Sequence, residues 1–239
     1  MTNNVKCIKC GNEFSLLISG KPMCLRCSRD EIIHRVKRNL VRSGVDLRNS
    51  SLTILSPEFY SGVGEILANL IRKVCEPCNV SLRKEVITGE PDINSTIHEL
   101  VVKVLESENR YFVFPLTADF YLAYLIYSST RSLNGAYLNL YGLRVNVGEK
   151  TVLNLLYNTP YTELRGFSEL TPRLITGDSL FDSILSWSHD RFPDNEVFHT
   201  FSPSVEELTR LFPRCRRCGA IISAGDYCKA CEVDLSLVQ

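Results

Sequence analysis

Hydrophobic and polar positions alternate along the middle of the chain as expected for repeated strand–helix units. Short apolar runs bounded by turn residues are typical of buried strands, and longer stretches with an apolar stripe at helical spacing predict helices between them. This alternation predicts an α/β fold with a doubly wound parallel sheet whose two faces are covered by helices. Strands are predicted at residues 51–55, 80–88 and 111–114, and helices at residues 62–74, 96–107 and 117–127.

The later part of the chain is less regular. Thr96 opens a capping-box pattern for the helix that contains it, and Asp178 is predicted to cap a helix over residues 178–188. A short helix is predicted over residues 202–212. Residues 142–156 fit a strand or a helix equally well.

An amphipathic helix with a basic face is predicted near the N-terminus, at residues 29–42. Ile32, Ile33, Val36 and Leu40 form its apolar stripe, and Gly44 follows its end. The basic side chains lie largely off that stripe. They are Arg29, Arg35, Lys37, Arg38 and Arg42, with Arg26 just before them.

Charge is distributed unevenly along the 239 residues, although 27 basic and 27 acidic side chains cancel overall. Residues 1–48 carry ten basic and four acidic side chains, whereas residues 49–204 carry twelve and eighteen. A basic end on an acidic body indicates a polyanionic partner, because local potential steers binding more than net charge does. The alternative is a solvated helix face.

Eight of the ten cysteines form four C-x2-C pairs, two near each end of the chain. Each pair lets a tight turn present two thiolates, and two such turns close a tetrahedral sulfur site of the kind that structural zinc prefers. The alternatives are an iron–sulfur cluster on one set, or reduced or disulfide-paired cysteines. The predicted structural zinc ligands are Cys7, Cys10, Cys24 and Cys27 in the first site, and Cys215, Cys218, Cys228 and Cys231 in the second.

The remaining pair, Cys75 and Cys78, follows a predicted helix and precedes a strand. A redox C-x-x-C normally opens a helix, whose N-terminus lowers the thiol pKa, so this pair lies at the wrong end for that chemistry. A structural or incidental role is expected, with a regulatory disulfide as the alternative.

The order of these parts resembles the cytoplasmic tRNA 2-thiolation proteins, which belong to the PP-loop ATP pyrophosphatases. The shared parts are a four-cysteine module, a basic helix, a strand, a six-residue loop, a helix and a second four-cysteine module. In that family the loop reads Ser-Gly-Gly-x-Asp-Ser and binds ATP. In this chain it reads Ser56, Pro57, Glu58, Phe59, Tyr60 and Ser61. The resemblance implies a Rossmann-like, adenine nucleotide alpha-hydrolase-like fold flanked by two zinc modules.

The loop departs from the family pattern at the positions that hold phosphate. Glycines let backbone N–H groups converge on an anion, but Pro57 has no N–H and Glu58 adds negative charge. Phe59 and Tyr60 add bulk. We therefore expect no ATP binding by the family mode.

Other functional positions of the family are also replaced. The resemblance implies catalytic cysteines in the middle of the domain, but no cysteine lies between Cys78 and Cys215. His98 and Glu99 stand in the helix where the first would fall. Ala118 and Asp119 are all that remains of an acidic loop, and Asp119 is predicted to be a helix cap. The four histidines show no spacing to a Ser or Cys that indicates catalysis.

The resemblance implies a non-catalytic scaffold and tRNA-binding subunit of a complex that thiolates uridine 34 of tRNA. Its partners would be a catalytic PP-loop paralogue, in a heterodimer or larger assembly, tRNA, and a ubiquitin-like sulfur carrier reached through the complex. Candidate RNA contacts are the six basic residues of the N-terminal helix region and, beside the second module, Arg214, Arg216 and Arg217.

Two other functions remain open: an independent zinc-ribbon RNA-binding protein, and an active sulfurtransferase that uses Cys75 and Cys78. The chain has no stretch that predicts a membrane span or signal peptide, so we expect a cytoplasmic protein. The expected domains are residues 1–28 (zinc ribbon), 29–48 (basic linker helix), 49–204 (degenerate PP-loop domain) and 205–239 (helix and zinc ribbon).

Overall fold

A five-stranded sheet lies at the centre of the protein in a computed structural model that describes residues 5–90, 92–130, 135–167, 170–171, 173–191, 205 and 209–236. The strands are β1 (Leu16–Ile18), β2 (Lys21–Met23), β3 (Ser51–Pro57), β4 (Ser81–Ile87), β5 (Tyr111–Val113), β6 (Arg144–Val147) and β7 (Lys150–Leu153). The helices are α1 (Leu25–Arg42), α2 (Ser61–Val74), α3 (Ile93–Glu106), α4 (Ala118–Thr130), α5 (Ser179–Arg191) and α6 (Lys229–Ser236).

The central sheet has the strand order β4-β3-β5-β7-β6 and confirms the predicted α/β class. Strands β4, β3, β5 and β7 run parallel, and only the edge strand β6 is antiparallel to its neighbour. Residues 142–156, which fitted either element, contain the hairpin β6–β7. Gly148 sits in its turn with φ +57°, a conformation that glycine adopts at little cost.

The crossovers around β3 create a topological switch point. The chain leaves β3 through α2 to reach β4 on one side, then returns through α3 to reach β5 on the other side. Because such crossovers are right-handed, α2 and α3 cover opposite faces of the sheet. The carboxyl ends of β3 and β5 therefore flank the crevice where folds of this kind bind ligands.

Helix boundaries follow the capping residues, with one correction. Asp178 accepts hydrogen bonds from the N–H groups of Leu180 and Phe181 at 3.1 Å, which confirms it as the cap of α5. The helix expected to start with a capping box at Thr96 begins earlier, with Asp92 as its cap. The Asp92 carboxylate is anchored by two backbone N–H groups, whereas Thr96 is already inside the helix and hydrogen-bonds backwards to backbone oxygens.

Helix α1 is continuous with the first cysteine module. It begins at Leu25 with Cys24 as its cap, four residues before the predicted start. Ile32, Val36 and Leu40 are buried as the apolar stripe predicted. Most of residues 202–212, where a further helix was predicted, lie outside the described residues. None of the described helices has the length and apolar character needed to cross a membrane.

Candidate functional site: two metal centres and a filled nucleotide loop

The first cysteine module forms a compact sulfur cluster. The Cys7 N–H donates to the Asn12 oxygen at 2.8 Å, and the Gly11 N–H donates to the Cys7 oxygen at 2.9 Å, with Gly11 at φ +74°. This tight turn brings Cys7 and Cys10 to the capped end of α1. The four predicted ligand sulfurs, on Cys7, Cys10, Cys24 and Cys27, lie within 4.8 Å of one another. Four thiols at this separation fit a tetrahedral metal site.

The thiol pKa values in this cluster are shifted in opposite directions, because the sulfurs lie close together and share hydrogen bonds. Although burial opposes it, backbone hydrogen bonds lower the pKa of Cys7 to about 6. Sharing a hydrogen bond with Cys10 raises the pKa of Cys27 to about 12. Neighbouring thiolates repel one another, so full ionisation of the cluster requires a cation among the sulfurs.

The second module repeats the first almost bond for bond. The Cys215 N–H donates to the Ala220 oxygen at 2.8 Å, and the Gly219 N–H donates to the Cys215 oxygen at 2.9 Å. Cys218 and Cys228 sulfurs are 3.6 Å apart, the same separation as Cys10 and Cys24 in the first module. The backbone therefore holds the cysteines of both modules in the same kind of turn.

Three of the four cysteines predicted as ligands of the second module meet there with a histidine. The four donor atoms that lie within 4.8 Å of one another belong to His98, Cys218, Cys228 and Cys231. Cys215 is buried next to them and shares a hydrogen bond with Cys228, whose pKa is lowered to about 5, chiefly by its hydrogen bond with Cys218. In the part of the chain that the structure describes, two four-donor Cys/His groups can therefore bind metal ions, and the second has a fifth candidate donor. No local spacing could reveal His98, because it comes from α3.

Polar contacts tie His98 to both the module and the main domain. Its Nδ1 lies 2.5 Å from the Tyr137 hydroxyl, and its Nε2 lies 3.2 Å from Asp234 Oδ2. The same Tyr137 hydroxyl is 3.5 Å from the Cys218 sulfur, and Arg217 donates to Asp234 at 2.9 Å. These contacts join α3, α6 and the second module into one network.

The Tyr60 side chain fills part of the predicted nucleotide loop. Residues Glu58–Tyr60 form a 3-10 turn at the carboxyl end of β3. The Tyr60 side chain is fully buried, and its hydroxyl lies 2.6 Å from the Thr117 Oγ1, on the segment after β5. Its ring packs near Phe120 and Tyr161 with centroid distances of 5.6 and 6.4 Å. Tyr60 thus closes the switch-point crevice from β3 across to β5.

Helix α2 starts immediately after this turn and packs closely on β3. A Cβ on Gly64 would lie 3.3 Å from the Ser56 Oγ, so the small residue permits the close approach. Pro57, the last residue of β3, contributes no N–H, and no side chain caps the start of α2. Burial raises the pKa of Tyr60 well above its usual value, and the nearby Asp119 carboxylate raises it further.

Predicted RNA contacts on α1 divide into exposed and buried side chains. Arg26, Arg29, Lys37, Arg38 and Arg42 are exposed. Arg35 is not available on the surface. Its side chain is only 7% exposed, and its guanidinium lies 2.5 Å from the fully buried Glu163 carboxylate. The helical pattern placed Arg35 off the apolar stripe, but the turn Tyr161–Gly166 covers that part of α1.

Basic residues near the second module already have partners. Arg214 is exposed and donates to the Thr209 oxygen at 3.4 Å, and Arg216 pairs with Asp226 at 3.0 Å. Arg217 belongs to the Asp234 network described above. Their contact with RNA stays a prediction.

Cys75 and Cys78 are joined by a disulfide. Cys75 follows α2 and Cys78 precedes β4, so the pair lies at the amino ends of the strands. The filled loop lies at the carboxyl ends, on the opposite edge of the sheet. The pair is therefore remote from the crevice where the fold binds ligands.

Fold and clusters together define an α/β protein with a doubly wound sheet and two Cys/His metal modules. No family model matches the sequence, and no curated protein matches it. Among solved structures, the chain is similar to the U34-tRNA thiolase NcsA from Methanococcus maripaludis, determined with its 4Fe–4S cluster. The TM-score is 0.61 at 16% identity, over 99% of this chain and 97% of NcsA. At this identity the similarity establishes a shared fold.

Proposed function

We propose that this protein is a non-catalytic, tRNA-binding subunit of a complex that thiolates uridine 34 of tRNA, paired with an active PP-loop paralogue. The observation that carries the proposal is the filled loop at the switch point of a thiolase-like fold. The Tyr60 ring is buried and its hydroxyl is hydrogen-bonded, so this position of the loop is part of the packed core.

The residues around the filled loop also disfavour the binding of a nucleoside triphosphate. A cavity of about 620 Å³ remains beside it, with Glu58, Phe59, Tyr161 and Ile175 in its wall. Glu58 contributes a carboxylate to that wall, and a phosphate oxygen at close range would be repelled by about 1 kcal/mol or more even with strong screening. Opening the crevice would also expose the buried Tyr60 ring, at a cost of about 2 kcal/mol.

The middle of this chain has no cysteine that could carry out sulfur chemistry. The NcsA structure contains a 4Fe–4S cluster, whereas the present sequence has no cysteine between Cys78 and Cys215. The Cys75–Cys78 disulfide lies at the far edge of the sheet from the loop. A partner with an intact loop and central cysteines would supply ATP and sulfur chemistry.

We propose that the exposed basic face of α1 binds the RNA. Five of its six predicted contact residues are exposed, and phosphate binding by dense Lys and Arg supplies most sequence-independent affinity. The metal modules have no open coordination position when four donors bind one ion, so their expected role is structural, with zinc as the ion.

Native mass spectrometry of the tagged chain purified from its own host tests this function. We expect a complex with a homologous protein that carries an intact Ser-Gly-Gly-x-Asp-Ser loop, with two zinc ions on the present chain. A lone chain carrying two zinc ions and RNA would instead support the independent RNA-binding protein.

Nucleotide binding by the purified chain is the second arm of the test. We expect no ATP binding or hydrolysis by the chain alone, and both activities in the complex. A Tyr60→Gly, Glu58→Gly double variant is the matched comparison, because it removes the filling ring and the carboxylate. ATP turnover by the unmodified chain without its partner would overturn the non-catalytic assignment.

A further inference from the structure

A histidine and a buried carboxylate that are far apart in sequence meet near the switch point. Asp119, in the first turn of α4, is fully buried, and its Oδ2 lies 2.6 Å from Nε2 of His189 on α5. Its Oδ1 accepts the Tyr161 backbone N–H at 3.0 Å. Buried carboxylates require such donors, so Asp119 and His189 form a fixed pair.

This pairing orients the imidazole toward a cavity. With the Asp119 carboxylate as acceptor, His189 Nε2 carries the proton between them, and Nδ1 is directed away from Asp119. None of the described residues forms a hydrogen bond with His189 Nδ1. The His189 side chain is 19% exposed and lines a cavity of about 430 Å³. That volume lies in the range of small-ligand sites.

The cavity combines an apolar floor with a wall that carries both basic and acidic side chains. Leu16, Leu174 and Leu185 are buried and supply the floor, while the exposed Arg165 and Arg173 stand in the wall with His189. Two carboxylates also line the cavity. Asp182 is occupied by hydrogen bonds from Thr176 and the Gly177 N–H, and Asp190 is exposed at the rim.

The basic face of α1 continues to this cavity. Leu25, the first residue of α1, lines it next to Arg26. The Ser28 and Arg29 side chains pack against Gly166, the neighbour of Arg165. A polyanion bound along α1 would therefore lie close to the cavity.

We propose that this cavity binds one unstacked nucleotide of a single-stranded RNA segment. The apolar floor accepts the base, Arg173 pairs with its phosphate, and His189 Nδ1 hydrogen-bonds the nucleotide. Asp119 is a positioning residue that holds the imidazole. Proteins that bind single-stranded RNA typically recognise unstacked nucleotides in loops. The identity of that RNA as a tRNA anticodon loop rests on the proposed function.

Imidazole NMR of the metal-loaded, full-length chain tests the site directly. The chain has four histidines, so ¹⁵N-histidine labelling gives few signals, and His189→Gln assigns the relevant one. Gln retains a donor for Asp119 but removes the nitrogen that faces the cavity. We expect the His189 signal to shift on addition of uridine monophosphate or of an anticodon stem-loop RNA. An unchanged signal with both ligands would sink the proposal.

A matched pair of arginine variants provides the affinity readout. Arg173→Gln is expected to weaken stem-loop binding about tenfold, because it removes one charged phosphate contact. For the same reason it should reduce the slope of log affinity against log salt concentration by about one. Arg83→Gln, on the exposed edge strand β4, should leave both unchanged. Equal behaviour of the two variants would contradict the proposal, and so would Arg173→Gln binding like the unmodified chain.

The outcomes separate this proposal from the proposed function. If the complex assembles and binds tRNA while the His189 signal stays fixed, the cavity proposal fails and the scaffold function stands. If no paralogue binds but stem-loop RNA shifts His189 and Arg173→Gln weakens binding, the cavity is a nucleotide site and the thiolation role fails.

Discussion

The two metal modules share a backbone design but differ in what surrounds them. In the first module Cys10 is exposed and Cys27 is half-buried, whereas all four cysteines of the second are buried. The second module also joins the main domain through the paired backbone of Ala136 and Ile221 and through the His98 network. Identical C-x2-C turns therefore produce a peripheral site in one case and an integrated site in the other.

The first module is attached by a buried ion pair instead. Glu163 Oε1 accepts the N–H of Ser19, in the β1–β2 turn, at 2.6 Å, and Arg35 on α1 contacts both Glu163 and the Ser19 hydroxyl. The comparison suggests that metal loss has local consequences in the first module and global ones in the second.

The largest expected effect on stability comes from replacing one equivalent cysteine in each module, with the variants Cys10→Ser and Cys218→Ser. Each variant should lose one metal ion. Cys218→Ser should destabilise the whole chain by about 5 kcal/mol, because it disrupts a buried site that is part of the core. Cys10→Ser should unfold only the segment before α1. Metal content by native mass spectrometry and hydrogen exchange by segment check both outcomes, and global unfolding by Cys10→Ser would break the comparison.

Breaking the ion pair with Glu163→Gln should have the next largest effect. The buried Arg35 guanidinium would lose its counter-charge, which costs about 3–5 kcal/mol. Glu31→Gln is the matched control, because Glu31 also joins the first module to α1, through Lys9, but at the surface. Its pair should contribute less than about 1 kcal/mol. Chemical denaturation compares them, and equal losses would show that the buried pair is not the anchor.

Local sequence patterns predicted the elements that depend on near neighbours. The α5 cap at Asp178 and the sulfur cluster of the first module follow from spacings of a few residues, and both agree with the structure. The hairpin β6–β7 was ambiguous because short apolar runs fit either element. Arg35 was misplaced because helical periodicity does not reveal which neighbours cover the polar side of a helix.

Contacts between distant parts of the chain were not predictable in the same way. His98 reaches the second module from α3, and His189 reaches Asp119 from α5. Both pairings depend on how helices pack around the sheet, which no local spacing encodes. The filled loop lies between these cases, because Pro57 and Glu58 predicted loss of phosphate binding, but only the fold shows Tyr60 occupying the crevice.

The role of His98 is the sharpest question within the comparison. Both of its nitrogens already contact partners, Tyr137 and Asp234, and Cys215 repeats the turn position of Cys7. We therefore expect His98→Gln to retain the metal with affinity lowered by about tenfold, as for residues that orient ligands. Cys215→Ser should lose it. Cobalt titration with competition by a chelator measures both, and the reverse result would make His98 the ligand.

Tyr137→Phe should have the smallest effect and sharpens the same point. The Tyr137 hydroxyl lies between His98 Nδ1 and the Cys218 sulfur, so removing it deletes one hydrogen bond in a buried network and leaves the ring packed. We expect a loss of about 1 kcal/mol in the free energy of unfolding, with both metal ions retained. The first module has no equivalent hydroxyl among its described contacts, so hydrogen exchange there should not change. If Tyr137→Phe released the second metal ion, the network around His98 would be required to hold the metal, and the second module would differ from the first in its coordination as well as its surroundings.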